Sequence, residues 1–114
     1  MSINSKQKGA RAERQFRDLL REFGLTARRG QQFAGGTDSP DVICDELNGR
    51  FHFEVKHVEK LNLQNAITQA ITDAGSKTHI VAHRKNNWPW YVTLRADEFL
   101  RILLTSESFK GPKL

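Results

Sequence analysis

The 114-residue sequence predicts an α/β fold, a mixed β-sheet flanked by helices in the order α-β-β-β-α-β-β-α. Apolar side chains recur at helical spacing in residues 9–23 and again in residues 63–74. Residues 51–56 instead alternate apolar and polar side chains, as a strand does. The turn-forming pair Asn48-Gly49 precedes this strand and predicts a hairpin with residues 41–45. Helices interleaved with paired strands favour a sheet covered by helices.

The apolar periodicity sets the expected bounds of the helices. The first helix should span residues 9–23, with Gly24 as its C-cap. The second should span residues 63–74 and stop at Gly75. A final short helix is expected over residues 96–104.

Five strands are expected, over residues 25–29, 41–45, 51–56, 78–84 and 88–94. Pro89 lacks a backbone N–H and argues for an edge position of the last strand. The alternation in the third strand directs Phe51, Phe53 and Val55 toward the core. The same alternation places three polar residues on the opposite face, namely His52, Glu54 and Lys56.

Length and composition favour a single domain, residues 1–114, long enough to bury roughly two-thirds of its unfolded surface. Residues 1–8 are expected to form a flexible basic arm and residues 105–114 a frayed tail. There is no apolar run of about 20 residues for a membrane span and no signal-peptide core. The single cysteine, Cys44, lies in an apolar strand and is interpreted as a core residue in a reducing cytoplasm.

The charge balance predicts a polyanionic partner, because the formal net charge is +5 and the sequence pI is about 9.7. Cations concentrate in and just after the first helix. The residues predicted to bind this polyanion are Lys8, Arg11, Arg14, Arg17, Arg21, Arg28 and Arg29.

Three reactive side chains fall within one hairpin: Asp41 begins its first strand, and Glu54 and Lys56 lie two apart on its second. Residues i and i+2 of a strand share a face, and strand pairing brings Asp41 close to Glu54. Gathered carboxylates repel unless a proton or a divalent cation compensates them. Oxygen ligands select Mg²⁺ or Mn²⁺. The pattern therefore predicts a metal site beside an amine, a combination suited to phosphodiester hydrolysis.

These candidates have structural alternatives. Asp41, Glu54 and Lys56 could form a salt-bridge cluster on an exposed sheet face, and Glu13 could pair with Arg17 at i+4. Asp45 shares the strand face of Asp41 but lies about 13 Å farther along, and it is left out of the site.

Histidines and aromatic residues offer further possibilities. The spacings of His52, His57, His79 and His83 fit no zinc pattern. His52 and His57 lie near the predicted site and are candidates for contact with phosphate. A cluster of three aromatic residues could stack on unpaired bases, although core or dimer interface is the favoured interpretation. These residues are Trp88, Trp90 and Tyr91.

With this element order, the motifs resemble the PD-(D/E)XK nuclease superfamily and, within it, the archaeal and phage Holliday junction resolvases. The resemblance spans most of the chain and implies a restriction-endonuclease-like fold. The matching segments are residues 8–14 (Lys-Gly-Ala-Arg-Ala-Glu-Arg), the Gly-rich loop of residues 34–39 (Ala-Gly-Gly-Thr-Asp-Ser), Pro40-Asp41, Glu54-Val55-Lys56 and Gln69-Ala70.

The resemblance also implies roles for individual residues. Glu13, Asp41 and Glu54 would be metal ligands, together with the carbonyl oxygen of Val55, and Lys56 would be the catalytic lysine. Gln69 would support the site, although it could equally lie on a solvated helix flank. Thr37 or Ser39 would supply the loop hydroxyl that such resolvases carry as serine.

We therefore expect a Mg²⁺-dependent, structure-selective DNA endonuclease, with Mn²⁺ able to substitute, that leaves a 5′-phosphate. The expected substrate is branched DNA, above all the four-way junction, and cutting two opposed strands implies a homodimer. Neither a membrane nor an organic cofactor is expected, and the predicted location is the cytoplasm of a prokaryotic or phage-infected cell. The alternatives are a phage-type nuclease acting on other branched or nicked duplexes, and a non-catalytic nucleic-acid-binding module.

Overall fold

The structure, a computed structural model, describes residues 5–30, 41–47 and 49–106. Within these ranges the elements follow the predicted order. They are α1 (Ser5–Glu22), β1 (Ala27–Arg29), β2 (Val42–Cys44), β3 (Phe51–His57), α2 (Leu63–Ala74), β4 (Thr78–Arg84), β5 (Tyr91–Thr93) and α3 (Ala96–Thr105). Thr37, Ser39 and Pro40, with the rest of the Gly-rich loop, lie outside the described residues, as do residues 107–114 of the predicted tail.

The strands of the described ranges form one mixed sheet in the order β1-β2-β3-β4-β5. β2 and β3 form the predicted antiparallel hairpin, with Val42 opposite Phe53. β3 and β4 run parallel over seven residue pairs, from Phe51 opposite Thr78 to His57 opposite Arg84. A parallel pair needs a crossover connection, and α2 provides it. The long central strand β3 is thereby fixed from both sides.

Helices cover both faces of the sheet around β3. On one face, Phe16 of α1 packs against Phe53, with 5.4 Å between the ring centroids. On the other face, Ala66 and Ala70 of α2 pack against Val81 of β4. The polar face predicted for β3 is therefore buried rather than open to solvent.

That burial corrects the sequence-based picture of the strand. His52 and Glu54 were expected on the face away from the core, yet they are only 1% and 2% exposed. The alternation itself is present, because Phe51, Phe53 and Val55 belong to the core cluster that includes α1. The second face is buried because α2 crosses over it. Glu54 therefore cannot belong to an exposed salt-bridge cluster.

The helix boundaries match the sequence patterns closely at α2 and less closely at α1. α2 begins after Asn62, whose side chain accepts a hydrogen bond from the Asn65 N–H at 3.0 Å, and it ends before Gly75, which has φ 61°. α1 begins at Ser5, so residues 5–8 of the predicted arm are helical. Lysine and glutamine are good helix formers, and Gly9 does not interrupt the helix.

The end of the sheet is shorter than predicted. β5 occupies the expected edge position but spans only Tyr91–Thr93, so Trp88 and Pro89 precede it. β1 likewise spans Ala27–Arg29 instead of residues 25–29. In the described part of the chain, no helix is both long and apolar enough to cross a membrane.

Candidate active site

Asp41 is fixed by its backbone at the start of the β2–β3 hairpin. Its N–H donates to the carbonyl oxygen of Phe53 at 3.0 Å, and its own carbonyl accepts from the N–H of Gly30 at 3.0 Å. Its side chain is held as well, since Oδ2 accepts a hydrogen bond from the backbone N–H of Val55 at 2.8 Å. The Asp41 carboxylate therefore lies against β3 beside Glu54.

Glu54 is held by the residue two positions earlier on the same strand face. His52 Nε2 lies 3.0 Å from Glu54 Oε1, and both side chains are almost completely buried. A buried carboxylate requires hydrogen bonds or a compensating charge. His52 supplies one such bond and fixes the orientation of the carboxylate.

Glu13 reaches the same region from α1. Its side chain is buried, and Oε1 accepts a hydrogen bond from Arg29 Nε at 3.0 Å. The alternative pairing with Arg17 is not formed, because Arg17 contacts Asp18 at 2.9 Å. Burial raises the pKa of Glu13, the neighbouring Arg29 lowers it, and the charge of Glu54 raises it further.

Among the carboxyl groups of the site, Asp41 has the most strongly raised pKa. Burial raises its pKa to about 7, and the charge of Glu54 adds to that rise. The Val55 N–H and, more weakly, the Lys56 ammonium lower the pKa of Asp41. Two carboxylates that share a poorly solvated space favour the binding of a proton or a cation. Their oxygen-only donor set fits Mg²⁺ or Mn²⁺, so these residues suit the metal that the sequence predicts.

The remaining predicted site residues border the same space. Lys56 Nζ lies 3.5 Å from Gln69 Oε1 of α2, a distance at the long limit for a hydrogen bond. A cavity of about 320 Å³ opens between these elements. All six residues predicted for metal binding and catalysis line it: Glu13, Asp41, Glu54, Val55, Lys56 and Gln69.

Comparisons with known proteins agree with this arrangement. The family model described as "Phage putative PDDEXK endonuclease" matches residues 4–110. The chain belongs to this PD-(D/E)XK endonuclease family. A solved structure of Hjc from Archaeoglobus fulgidus, a Holliday junction resolvase from an archaeal hyperthermophile, is 29% identical with a TM-score of 0.55. The alignment covers 76% of this chain and 72% of the archaeal chain, and no curated protein sequence matches significantly.

This PD-(D/E)XK chain also contains a tight cluster that the sequence interpretation did not identify. Potential ligand atoms of His52, Glu54 and Asp73 all lie within 4.8 Å of one another. The shared strand face of His52 and Glu54 was visible in the sequence. Asp73 follows Gln69 by one helical turn, but its approach to Glu54 depends on how α2 crosses the sheet, which no local pattern reveals.

Of the two histidines predicted to lie near the site and contact phosphate, one is too buried for that role. His52 was a candidate for contact with phosphate, but at 1% exposure it cannot reach a DNA backbone. His57 lines the cavity, and its ring nitrogens lie 2.8 Å from Gln15 Oε1 and 2.9 Å from Asn86 Oδ1. His79 and His83 lie within β4.

The predicted phosphate contacts are dispersed over the surface of the nuclease. Lys8 lines the cavity itself, and Arg11 lines an adjoining cavity. Arg14 is exposed on α1. The other predicted cations have partners within the chain: Arg17 contacts Asp18, Arg21 Nε donates to the Ala27 carbonyl at 2.9 Å, Arg28 pairs with Asp45, and Arg29 pairs with Glu13.

Proposed function

We propose that this nuclease is a metal-dependent, structure-selective DNA endonuclease whose principal substrate is the four-way junction. The observation that carries the proposal is the pairing of Asp41 and Glu54 in one cavity with Lys56. Burial and the neighbouring carboxylate raise the pKa of Asp41 to about 7, which favours cation binding at this position.

Asp41, Glu54 and the carbonyl oxygen of Val55 would hold Mg²⁺, with Glu13 contributing from α1. When bound, the ion supplies Lewis-acid stabilisation of the phosphate and lowers the pKa of a coordinated water. The chain's own residues set the geometry. Val55 N–H orients Asp41, and His52 orients Glu54.

Lys56 is the proposed catalytic lysine. It shares the cavity with both carboxylates, where its ammonium would position the attacking water or neutralise charge on the phosphate. Gln69 lies at hydrogen-bonding distance from Lys56 and would restrict its conformations. Attack in line with the 3′ oxygen would leave a 5′-phosphate.

The junction is the proposed substrate because the aligned Archaeoglobus fulgidus Hjc is a Holliday junction resolvase. The net charge of +5 supports a polyanionic partner. Lys8, at the cavity rim, and Arg11, beside it, would contact phosphates, together with Arg14. Thr37 or Ser39 would add a hydroxyl from the Gly-rich loop.

Symmetric cutting of two opposed strands requires two active sites, so we propose a homodimer. The apolar face of α3 supports this part of the proposal. Phe99, Leu100, Leu103 and Leu104 are between 42% and 60% exposed. A contiguous apolar patch of this kind is typical of a protein interface.

The test is incubation with a labelled four-way junction and a linear duplex of matched sequence, in Mg²⁺ and in EDTA. Paired nicks in the junction, dependent on Mg²⁺ and lost in Glu54→Gln, are the expected result. Cutting of the linear duplex at a similar rate would favour a nuclease for other branched or nicked DNA. Tight binding without cleavage in either Mg²⁺ or Mn²⁺ would identify a non-catalytic binding module.

A further inference from the structure

A second cavity, outside the candidate active site, lies beside the β4–β5 connection. Its volume is about 220 Å³, below the range of roughly 300–1,000 Å³ typical of sites for drug-sized ligands. Its walls include two aromatic rings and three basic or potentially basic side chains: Trp88, Tyr91, His83, Arg84 and Lys85. The size suits a single planar ring system.

The two aromatic rings are available to a ligand. Trp88 is 47% exposed and Tyr91 is 52% exposed, so neither belongs to the core, which was one half of the favoured interpretation of core or dimer interface. Trp90, in contrast, packs beside Phe16 with 5.2 Å between ring centroids and does belong there. Tyr91 is stacked on His83, with 6.4 Å between centroids and 28° between planes. Exposed aromatic faces of this kind stack on nucleobases of any identity.

The cavity also carries positive charge. Lys85 Nζ lies 4.1 Å from the centroid of the Trp88 ring, so an ammonium group lies beside the exposed aromatic side chain. The Arg84 guanidinium, in contrast, lies over the core ring of Trp90, with 5.7 Å between its Cζ and the ring centroid. Glu59, the one carboxylate among the described wall residues, accepts a hydrogen bond from the Asn86 N–H at 2.6 Å.

Shared wall residues connect this cavity to the candidate active site. The active-site cavity shares Lys8, His57 and Val58 with an intermediate cavity of about 570 Å³ that Arg11 also lines. The intermediate cavity in turn shares Val58 and Glu59 with the aromatic one. The three cavities therefore adjoin one another in a row that begins at Asp41 and Glu54 and ends at Trp88 and Tyr91. We call this row of cavities the aromatic groove.

We propose that the Trp88–Tyr91 end of the aromatic groove binds an unpaired nucleobase of branched DNA while the adjoining strand reaches the carboxylates. The inference rests on the proposed nuclease function and adds a basis for selecting branched over linear substrates. A continuous duplex keeps its bases stacked and offers nothing to this pocket, whereas a branch point can release a base. Lys85 would contact the phosphate flanking that base.

The test measures binding in EDTA, so cleavage does not enter. The probes are a splayed duplex with an unpaired 2-aminopurine at the branch point and a fully paired linear duplex. Trp88→Ala combined with Tyr91→Ala should lower affinity for the splayed duplex about tenfold or more, and should abolish the change in 2-aminopurine fluorescence. Affinity for the linear duplex should stay unchanged. Trp88→Phe combined with Tyr91→Phe should retain most of the affinity, because flat rings remain.

Phe23→Ala is the matched control, because Phe23 is 78% exposed and is absent from the walls of all three cavities of the groove. Equal losses on both DNAs, or no loss on either, would overturn the pocket assignment. So would a change from dimer to monomer in the double alanine variant, since that would identify the patch as a protein interface. If the wild type binds as expected but cuts no DNA in Mg²⁺, the nuclease proposal alone fails. If it cuts junctions while the variants bind normally, the pocket assignment alone fails.

Discussion

Asp41 is a carboxyl group whose folded environment favours its neutral form. Its folded pKa of about 7 lies above the ordinary aspartate pKa of 3.8, so the folded state binds this proton more tightly. Stability from this group is therefore present at acidic pH and is lost as pH rises toward and through 7. Above pH 7 and without metal, Asp41 is ionised, and its negative charge destabilises the folded protein. A bound divalent cation would compensate that charge.

Replacing Asp41 with Asn should remove that cost. At pH 8 without metal, Asp41→Asn should raise the midpoint of thermal unfolding by about 4 °C or more, whereas near pH 4 the two proteins should unfold together. The measurement is differential scanning calorimetry in EDTA at both pH values. Asp45→Asn is the control, since Asp45 is exposed and pairs with Arg28. An equal effect at both pH values would contradict the assignment of a raised pKa to Asp41.

Substitutions of His52 test whether the orientation of the Glu54 carboxylate matters for metal binding. His52→Ala removes the hydrogen-bond partner that lies 3.0 Å from Glu54 Oε1, and this should cost about 1–3 kcal/mol of stability. It should also raise the Mg²⁺ concentration needed for half-maximal cleavage. His52→Gln keeps an N–H donor and should restore much of the metal response. If both variants need equally more Mg²⁺, the hydrogen bond is not the reason.

Among the elements, β3 shows what a local pattern can and cannot predict. The alternation of Phe51, Phe53 and Val55 identified the strand and the face that contacts α1. The hairpin signal then placed Asp41 next to this strand, as its hydrogen bond to Val55 N–H bears out. The burial of Glu54 was not predictable, because it depends on the path of α2 over the parallel β3–β4 pair, a long-range feature of the topology.

The first helix shows the same limit for the DNA surface. Its cations are evident in the sequence, but their partners are not, since Arg17 pairs with Asp18 and Arg21 donates to the Ala27 carbonyl. Only the three-dimensional arrangement separates cations along the groove from those that face elsewhere.

Cations that line the groove should contribute more to DNA binding than cations that face elsewhere. Lys8→Ala with Arg11→Ala should weaken junction binding and reduce the slope of log affinity against log salt by about 2, because both residues line the groove. Arg17→Ala with Arg21→Ala removes the same charge from a side of α1 whose cations already have partners within the chain, and serves as the matched comparison. The measurement is fluorescence anisotropy over a salt series in EDTA. A larger effect from the second pair would move the DNA-contacting surface to that side.

For the whole molecule, the apolar face of α3 is the clearest candidate for contact with a second copy. Two arginines and two carboxylates accompany it, namely Arg95, Arg101, Asp97 and Glu98. The local charge is therefore zero on a chain whose net charge is +5, so two copies can approach here without strong repulsion.

Leu100→Asp with Leu104→Asp should convert the proposed dimer into a monomer. Both side chains are more than half exposed, so the monomer should stay folded. Analytical ultracentrifugation measures the change, and junction cleavage should shift from paired cuts to single nicks. Thr72→Asp, at an exposed position on α2, is the control for added charge. An unchanged sedimentation coefficient would place the dimer contact elsewhere.

The central claim is that Asp41 and Glu54 share a divalent cation. The most direct test is a crystal structure with Mn²⁺, located by its anomalous scattering. The claim predicts a peak in the 320 Å³ cavity, bonded to oxygens of Asp41 and Glu54. A peak coordinated by His52 and Asp73 without Asp41, or no peak at a saturating concentration of Mn²⁺, would contradict it.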